Sequence, residues 1–290
     1  MRVQKAVIKT PWRFTPIGHR GAGGELPGNT LESFDRLVAV FPNGMLEMDV
    51  WETRDGEIAV YHDMDLRHET DASGPVINYS YDELKEADRG YNVTLDQGST
   101  FPFRGKGYRI PLLGVVITRH PGSTFAIDIK YHKREFALKV VENIIRLGAL
   151  ERTIITSFNA SILSAVRKKY PSIATSFTRG EIVTAWLLKI PFRTMGPMLK
   201  GDALMVPEFT GKGKSEYLGG EERQDIRVVT PGLIRRAHAM GIPVFPWTIN
   251  IRENMRRLIE WGVDGIVTDF PSVLKEVMDE FGLGSGNQNI

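Results

Sequence analysis

The 290-residue sequence predicts an α/β fold in which eight strands, most of them leading into a helix, close into a (β/α)8 barrel with one insertion after the second strand. Three observations predict it. Short apolar or β-branched runs recur along the chain, at residues 15–18, 45–50, 124–129, 153–156, 173–176, 203–206, 244–248 and 265–268. Between most of them lie stretches of helical period, among them 30–40, 134–147, 161–170, 231–240 and 253–261, and such alternation is the pattern of a parallel sheet. One segment, residues 65–110, breaks the alternation and is long, turn-rich and irregular.

The first run, Thr15-Pro16-Ile17-Gly18, gives way to a glycine-rich turn and then to a helix whose start is marked by Asn29 and Thr30. In the second run polar and apolar residues alternate. After it, Asp55-Gly56 is a turn signal and the following run leads to His62, so a short hairpin is expected to return there. The insertion is expected to hold one short helix, at 81–87, and a loop of this length after a barrel strand sits over the catalytic face. Its aromatics, Tyr79, Tyr81, Tyr91, Phe101, Phe103 and Tyr108, suit either an entrance for a lipid-like or choline-like group or a small core of the loop's own. Further on, Gly148, Gly241 and Gly262 suit helix stops, and Pro231 after Thr230 suits a first-turn proline. The tail, 282–290, is expected to fray. A single domain over 1–290 is expected, since one such barrel commonly runs about 250 residues.

Composition narrows the function. A hydrophobic fraction of 42% with 25% charged residues is that of an ordinary globular protein. Lys and Arg number 37 against 35 Asp and Glu, so no basic stripe for nucleic acid is implied. Cysteine is absent, and a bound metal would therefore need carboxylate oxygen, imidazole or water. The first residues show no apolar run with a small-residue cleavage site, so a cytoplasmic protein is expected. The longest apolar stretch, 182–192, is broken by Thr184, Lys189 and Pro191 and falls short of the roughly 20 residues a spanning helix needs; no transmembrane segment is expected.

Four clusters carry chemistry. Gly18-His19-Arg20-Gly21 follows a strand, and its arginine either offers a fork of donors to phosphate oxygens or is, with the histidine, a solvated loop residue. In Leu46-Glu47-Met48-Asp49-Val50 the strand period puts both carboxylates on one face, where they would repel without a cation. Hard oxygens suit a divalent cation, Mg2+ or Ca2+. His62-Asp63 closes the hairpin, and two histidines either side of a phosphorus centre can share general acid and base work. Asp63 either orients His62 or is merely solvated. Asp128 and Lys130 share a face of the third main strand, as a third metal ligand beside a cation for phosphoryl oxygens or as a plain buried ion pair. His68, His120, His132 and His238 lack any such pattern and are expected to be structural or solvated.

In order, His19-Arg20-Gly21, Asn29-Thr30, Glu47-x-Asp49, Asp55-Gly56 and His62-Asp63 resemble the glycerophosphodiester phosphodiesterase family. The resemblance continues through Ile110-Pro111-Leu112-Leu113, Ile127 to Lys130, Thr156 to Asn159, Trp247 to Asn250 and Gly265 to Pro271, spanning nearly the whole chain. It implies a TIM-type barrel with an insertion after strand two, and hydrolysis of a glycerophosphodiester to glycerol 3-phosphate and an alcohol. His19 and His62 would be acid and base, and Glu47, Asp49 and Asp128 the metal ligands. Arg20 and Lys130 would contact phosphate, with Trp247 an apolar wall against the glycerol or the leaving group.

Two residues depart from the family pattern. Gly28 stands where members usually carry Glu before Asn-Thr, so a contact to Arg20 is missing or is supplied by Glu25. Asp128 stands where the third ligand is usually Glu, as it also does in the related sphingomyelinase D type phospholipases. A lysophospholipase D or sphingomyelinase D type activity is therefore one alternative, and an inactive metal-stabilised binding homologue another. A glycosidase using Glu47 and Asp49 is poor, because neighbours on one strand cannot flank a sugar from opposite faces.

Overall fold

The computed structural model describes residues 14–187, 200–210 and 226–283. The N-terminal segment on which the compartment reading rests, the end of the apolar stretch 182–192 and most of the tail lie outside the described residues. No helix of the described residues is long and apolar enough to cross a membrane.

In chain order the elements are β1 (Thr15–Gly18), α1 (Leu31–Val40), β2 (Met45–Glu52), β3 (Ile58–Val60), α2 (Tyr81–Leu84), α3 (Leu113–Arg119) and β4 (Thr124–Ile129). They continue as α4 (Arg134–Arg146), β5 (Thr153–Thr156), α5 (Ala160–Lys169), β6 (Ala174–Thr175), α6 (Arg179–Leu187) and β7 (Leu204–Pro207). The last are α7 (Pro231–His238), β8 (Val244–Trp247), α8 (Arg252–Glu260), β9 (Gly265–Thr268) and α9 (Pro271–Glu280). All eight expected strands are present, and β3 is the returning arm of the expected hairpin, antiparallel to β2.

The parallel strands pair in the order β6-β5-β4-β2-β1-β9, with β7 and β8 paired separately. A parallel bridge between Ser176 and Ala203 joins β6 to β7, and bonds from Asp264 N to Val244 O (3.1 Å) and Ile249 N to Val267 O (2.9 Å) join β8 to β9. The sheet closes: this is the (β/α)8 barrel the alternation predicts.

Strand period decides what faces inward. Leu46, Met48 and Val50 pack outward with Phe34, Leu37 and the other helix residues in the large apolar layer. Ile17, Met45, Ala126, Ile154, Phe245 and Val267 fill the barrel interior. Two residues beyond each inward position the same face recurs at the C-terminal rim: Ile17 leads to His19, Met45 to Glu47 and Asp49, Ala126 to Asp128, Phe245 to Trp247 and Val267 to Asp269. The rim is thus gathered by pleat alone.

Helix starts follow local chemistry. Thr30 caps α1 by accepting from Ser33 N, and Thr230 caps α7 ahead of Pro231. The expected insertion helix is shorter than 81–87: a Ser80–Glu83 capping box starts α2, which ends at Leu84. Leu66, Val76, Leu84 and Ile110 pack on Ala59 and Tyr61 of the hairpin, with Tyr79 and Tyr81 against them. These aromatics are core. Tyr91 and Phe101 are exposed and sandwich Arg104, whose guanidinium lies 4.1 and 4.5 Å from their rings.

Candidate active site

The first loop is folded tightly on the start of α1. Ser33 Oγ accepts from Ala22 N and donates to Arg20 O, both at 2.7 Å. Gly21, at φ +85°, presses so closely on Ser33 that a Cβ would lie 2.6 Å from its backbone, and only glycine fits. This turn directs His19 and Arg20 to the rim.

His19 Nδ1 lies 2.6 Å from Asp269 Oδ1, beyond the end of β9. Asp269 is itself held by Asn250 Nδ2 at 2.7 Å, and its backbone N–H donates to Asn250 Oδ1. Burial lowers the His19 pKa, but the Asp269 charge, its hydrogen bond and Glu47 offset this against Arg20, and the net effect is a rise. Burial would raise the Asp269 carboxyl; the charge and hydrogen bond of His19 outweigh that and lower it. With Nδ1 given to a carboxylate, Nε2 is the nitrogen left for chemistry.

His62 is placed by the hairpin. Its Nδ1 lies 2.7 Å from Asp63 Oδ1, and its carbonyl accepts from Trp51 Nε1 at 3.0 Å. Of the two roles open to Asp63, the structure shows the orienting one. Both rings remain partly open to solvent, at 22% and 29% side-chain exposure, so a ligand at the rim can reach them.

Below the histidines lie the acidic residues. Asp49 pairs with Asp128 in the register of β2 and β4. Lys130 Nζ bridges them, 3.0 Å from Asp49 Oδ1 and 2.7 Å from Asp128 Oδ2, so the ion pair expected as one possibility is present. Asp49 Oδ2 also accepts from Asn29 Nδ2 at 2.8 Å and lies 3.6 Å from Arg20 Nε. Although burial pushes its pKa up, Lys130, Arg20 and the two histidines hold Asp49 well below the carboxylate range. Glu47 accepts from Arg20 N at 2.9 Å; burial and the Asp49 charge push its pKa up.

The donor set fits a hard divalent cation. Asp128 Oδ1 is buried with no hydrogen-bond partner, and burial together with the Asp49 charge disfavours ionisation of Glu47, which are the conditions a bound cation relieves. Among the described residues, however, no three His, Asp or Glu side chains are already gathered around one point. Lys130 Nζ instead bridges two of the three carboxylates.

Trp247 ends β8 against the barrel interior, its ring 6.0 Å from that of Phe158. Phe158 is 67% exposed, and Lys130 Nζ lies 5.7 Å from its centre. Glu25 does not serve Arg20: it accepts from Arg36 Nε at 2.7 Å and from Ser272 N at 2.9 Å, so of the two alternatives supply by Glu25 is ruled out. Besides Asp49, Glu69 of the insertion lies 3.8 Å from Arg20 Nη1.

Sequence reasoning passed over Asp269, Asn250, Asn29, Phe158 and Glu69 as site residues. Asp269 was legible as the polar residue that directly follows the apolar strand β9. Glu69 carried no signal, because only the folded insertion brings it to Arg20. Among the other histidines, His120 is buried beside Asp35 and the Phe34 ring, and His238 Nε2 lies 2.8 Å from Asp264 Oδ2, both as structural groups.

The family model of the glycerophosphoryl diester phosphodiesterase family matches residues 19–273. The chain belongs to that family. A curated member, the glycerophosphodiester phosphodiesterase of Caldanaerobacter subterraneus, is 29% identical over 265 residues, covering 89% of this chain and 95% of its own. The human lysophospholipase D GDPD1 is 26% identical over 275 residues, covering 91% and 86%. Among solved structures, an Oleispira antarctica phosphodiesterase in complex with the product sn-glycerol-3-phosphate shares the fold, with a TM-score of 0.71, 22% identity and coverage of 91% and 96%. Membership of this family bears out the reading of the chain as a phosphoric diester hydrolase.

Proposed function

We propose that this enzyme hydrolyses small-molecule glycerophosphodiesters to glycerol 3-phosphate and an alcohol, with His19 and His62 as its acid/base pair. The observation that carries the reading is two carboxylate-backed imidazoles, His19 on Asp269 and His62 on Asp63, opening at the rim that also presents Arg20 and Lys130.

One imidazole takes the proton of the attacking hydroxyl, whose oxygen bonds to phosphorus. The bond from phosphorus to the departing oxygen breaks, and the other ring, as imidazolium, gives that oxygen its proton. In the family the attacking hydroxyl is the neighbouring one of glycerol, which forms a cyclic phosphate that water then opens. Arg20 and Lys130 bind phosphoryl oxygens as charge builds on them. Glu47, Asp49 and Asp128 would hold a divalent cation, Mg2+ or Ca2+, which supplies further positive charge to those oxygens. Trp247, with Phe158, walls the glycerol or leaving group.

A second reading, lysophospholipase D action, is favoured by the human relative of that name and by the exposed Phe158 ring. It keeps the chemistry and changes only the glycerol substituent. A turnover screen decides: glycerophosphocholine, glycerophosphoethanolamine and glycerophosphoglycerol against lysophosphatidylcholine, with Mg2+ or Ca2+ restored after chelation. His19→Ala and His62→Ala should each cut turnover about 100-fold or more with little change in melting temperature. Parent-level hydrolysis by both folded variants refutes the two-histidine mechanism.

A further inference from the structure

Gly28 leaves Arg20 without the carboxylate that family members carry at that position. Nor is there room for one with Arg20 where it stands, since a Cβ on Gly28 would lie 2.9 Å from Arg20 Cβ and 3.3 Å from its Cδ. The arginine backbone is nonetheless firmly held: at φ +53°, its carbonyl accepts from Asn29 N at 2.9 Å and from Ser33 Oγ. Only the guanidinium is left to be steered. Two carboxylates flank it, Asp49 on the Nε side at 3.6 Å and Glu69 on the Nη1 side at 3.8 Å.

Glu69 belongs to the insertion, at the end of the 3-10 turn Leu66–His68. Behind it lies a buried ion pair, close in distance but without hydrogen-bond alignment. Arg89 Nη2 lies 2.7 Å from Glu69 Oε2, and Arg89 is fully buried, with its guanidinium 5.2 Å from the centre of the Tyr61 ring. The backbone around Arg89 is pinned in turn: its N–H donates to Tyr108 O, and Asp88 accepts from Gly90 N at 3.0 Å and Gly105 N at 2.7 Å. A buried arginine is costly unless compensated, and Glu69 is the carboxylate paired with it among the described residues. One face of Glu69 therefore answers Arg89 while the other meets Arg20.

We propose that Glu69, anchored by the buried Arg89, is a positioning residue that aims Arg20 at the phosphate, so that the insertion supplies the carboxylate that position 28 lacks. The inference rests on Arg20 being a phosphate ligand, as in the proposed function. Without Glu69 the guanidinium would keep Asp49 as its one close carboxylate among the described residues, and nothing on the Nη1 side would hold its aim.

The test is a kinetic cycle on whichever glycerophosphodiester the parent turns over fastest. Glu69→Gln should lower kcat/KM about tenfold, the effect of loosening one orienting contact, with Glu69→Asp in between. In an Arg20→Ala background the same Glu69→Gln change should shift kcat/KM by less than about twofold, because a residue that acts through Arg20 has nothing left to position. If Glu69→Gln lowers the melting temperature by stranding Arg89, the double variant Glu69→Gln/Arg89→Met removes both charges and should melt near the parent while showing the same kinetic loss. Equal losses with and without Arg20 overturn the proposal, as does a Glu69→Gln or double variant within about twofold of the parent. Tighter binding of sn-glycerol 3-phosphate by Glu69→Gln in calorimetry, with kcat unchanged, also overturns it, since Glu69 would then be only a competing charge. A parent that neither turns over a diester nor binds sn-glycerol 3-phosphate brings down the proposed function as well, whereas an active parent with indifferent variants brings down this inference alone.

Discussion

Asp269→Asn removes one charge and leaves the shape of the site almost unchanged. The carboxylate it replaces sits 2.6 Å from His19 Nδ1, with both side chains little more than one-fifth exposed. A charge-assisted hydrogen bond of this kind is worth about 1.5–3 kcal/mol, and partial exposure argues for the lower half of that range. At about 1.4 kcal/mol per decade the loss in kcat/KM is roughly 10- to 40-fold. Burial alone lowers the His19 pKa, so once the Asp269 charge is gone the pKa must fall. In the pH profile, the limb that reports His19 should therefore move to lower pH. If it is the alkaline limb, His19 is the acid; if the acidic limb, the base. Stability obeys the same signs. The contribution of His19, whose pKa is raised, is complete below its ordinary value of 6.5 and is lost as pH rises through the folded value. The contribution of Asp269, whose pKa is lowered, is complete above 3.8 and is lost as pH falls through its folded value. Melting temperatures of parent and variant should differ most between those two ordinary values and converge outside them. Parent-like kcat/KM at every pH, with neither limb moved, refutes the assignment of His19 and Asp269 as a working pair.

Asp49→Asn should lower activity about 100-fold, and chelation should silence the parent reversibly; full activity in excess chelator with no metal by elemental analysis would remove the cation from Glu47, Asp49 and Asp128 together. Phe158→Ala should raise KM several-fold for a diester with a bulky alcohol while moving the melting temperature by no more than about 2 °C, because the ring is mostly exposed; an unchanged KM would take Phe158 out of the mouth. Replacing residues 73–105 with a short Gly-Ser linker should lower both the melting temperature and the activity towards natural diesters, because Val76 and Leu84 cover Ala59 and Tyr61, and Arg89 pairs with Glu69. An unaltered melting curve would show the insertion to be independent of the hairpin beneath it.

Strand periodicity made most of the rim legible. It placed Glu47 and Asp49 on one face and Asp128 and Lys130 on another, and the register of β2 with β4 then brought Asp49 level with Asp128. His62 was readable because a turn signal and an alternating run returned it to the strand it had left. Glu69 and Arg89 could not be read in this way. They lie in irregular chain, where no period relates position to direction, and they meet Arg20 only through the apolar packing of Leu66, Val76 and Leu84 on the hairpin. Glu25, the alternative offered by nearness in sequence, is not near Arg20 in space, since Arg36 and Ser272 N claim that carboxylate.

The charges at the rim imply one further property. Arg20 and Lys130, the groups assigned to phosphate, are at present committed to carboxylates: Lys130 to Asp49 and Asp128, and Arg20 to Asp49 and Glu69. A phosphate must therefore compete with these acidic side chains for the same two cations. Among the described residues Glu47 meanwhile accepts only from the Arg20 backbone N–H, and its pKa is raised. Neutralising the three carboxylates with a divalent cation frees Lys130 and Arg20 to face outward, so cation and phosphate should each strengthen the binding of the other by the same factor. Calorimetric titration of sn-glycerol 3-phosphate with and without Mg2+ or Ca2+, repeated with cation as the titrant, should give equal ratios well above one. Lys130→Met should shrink that ratio, since it removes the group the two ligands exchange. A ratio of one in the parent would mean that Lys130 is a fixed structural counter-ion to Asp49 and Asp128, and that phosphate binding depends on Arg20 and the histidines alone.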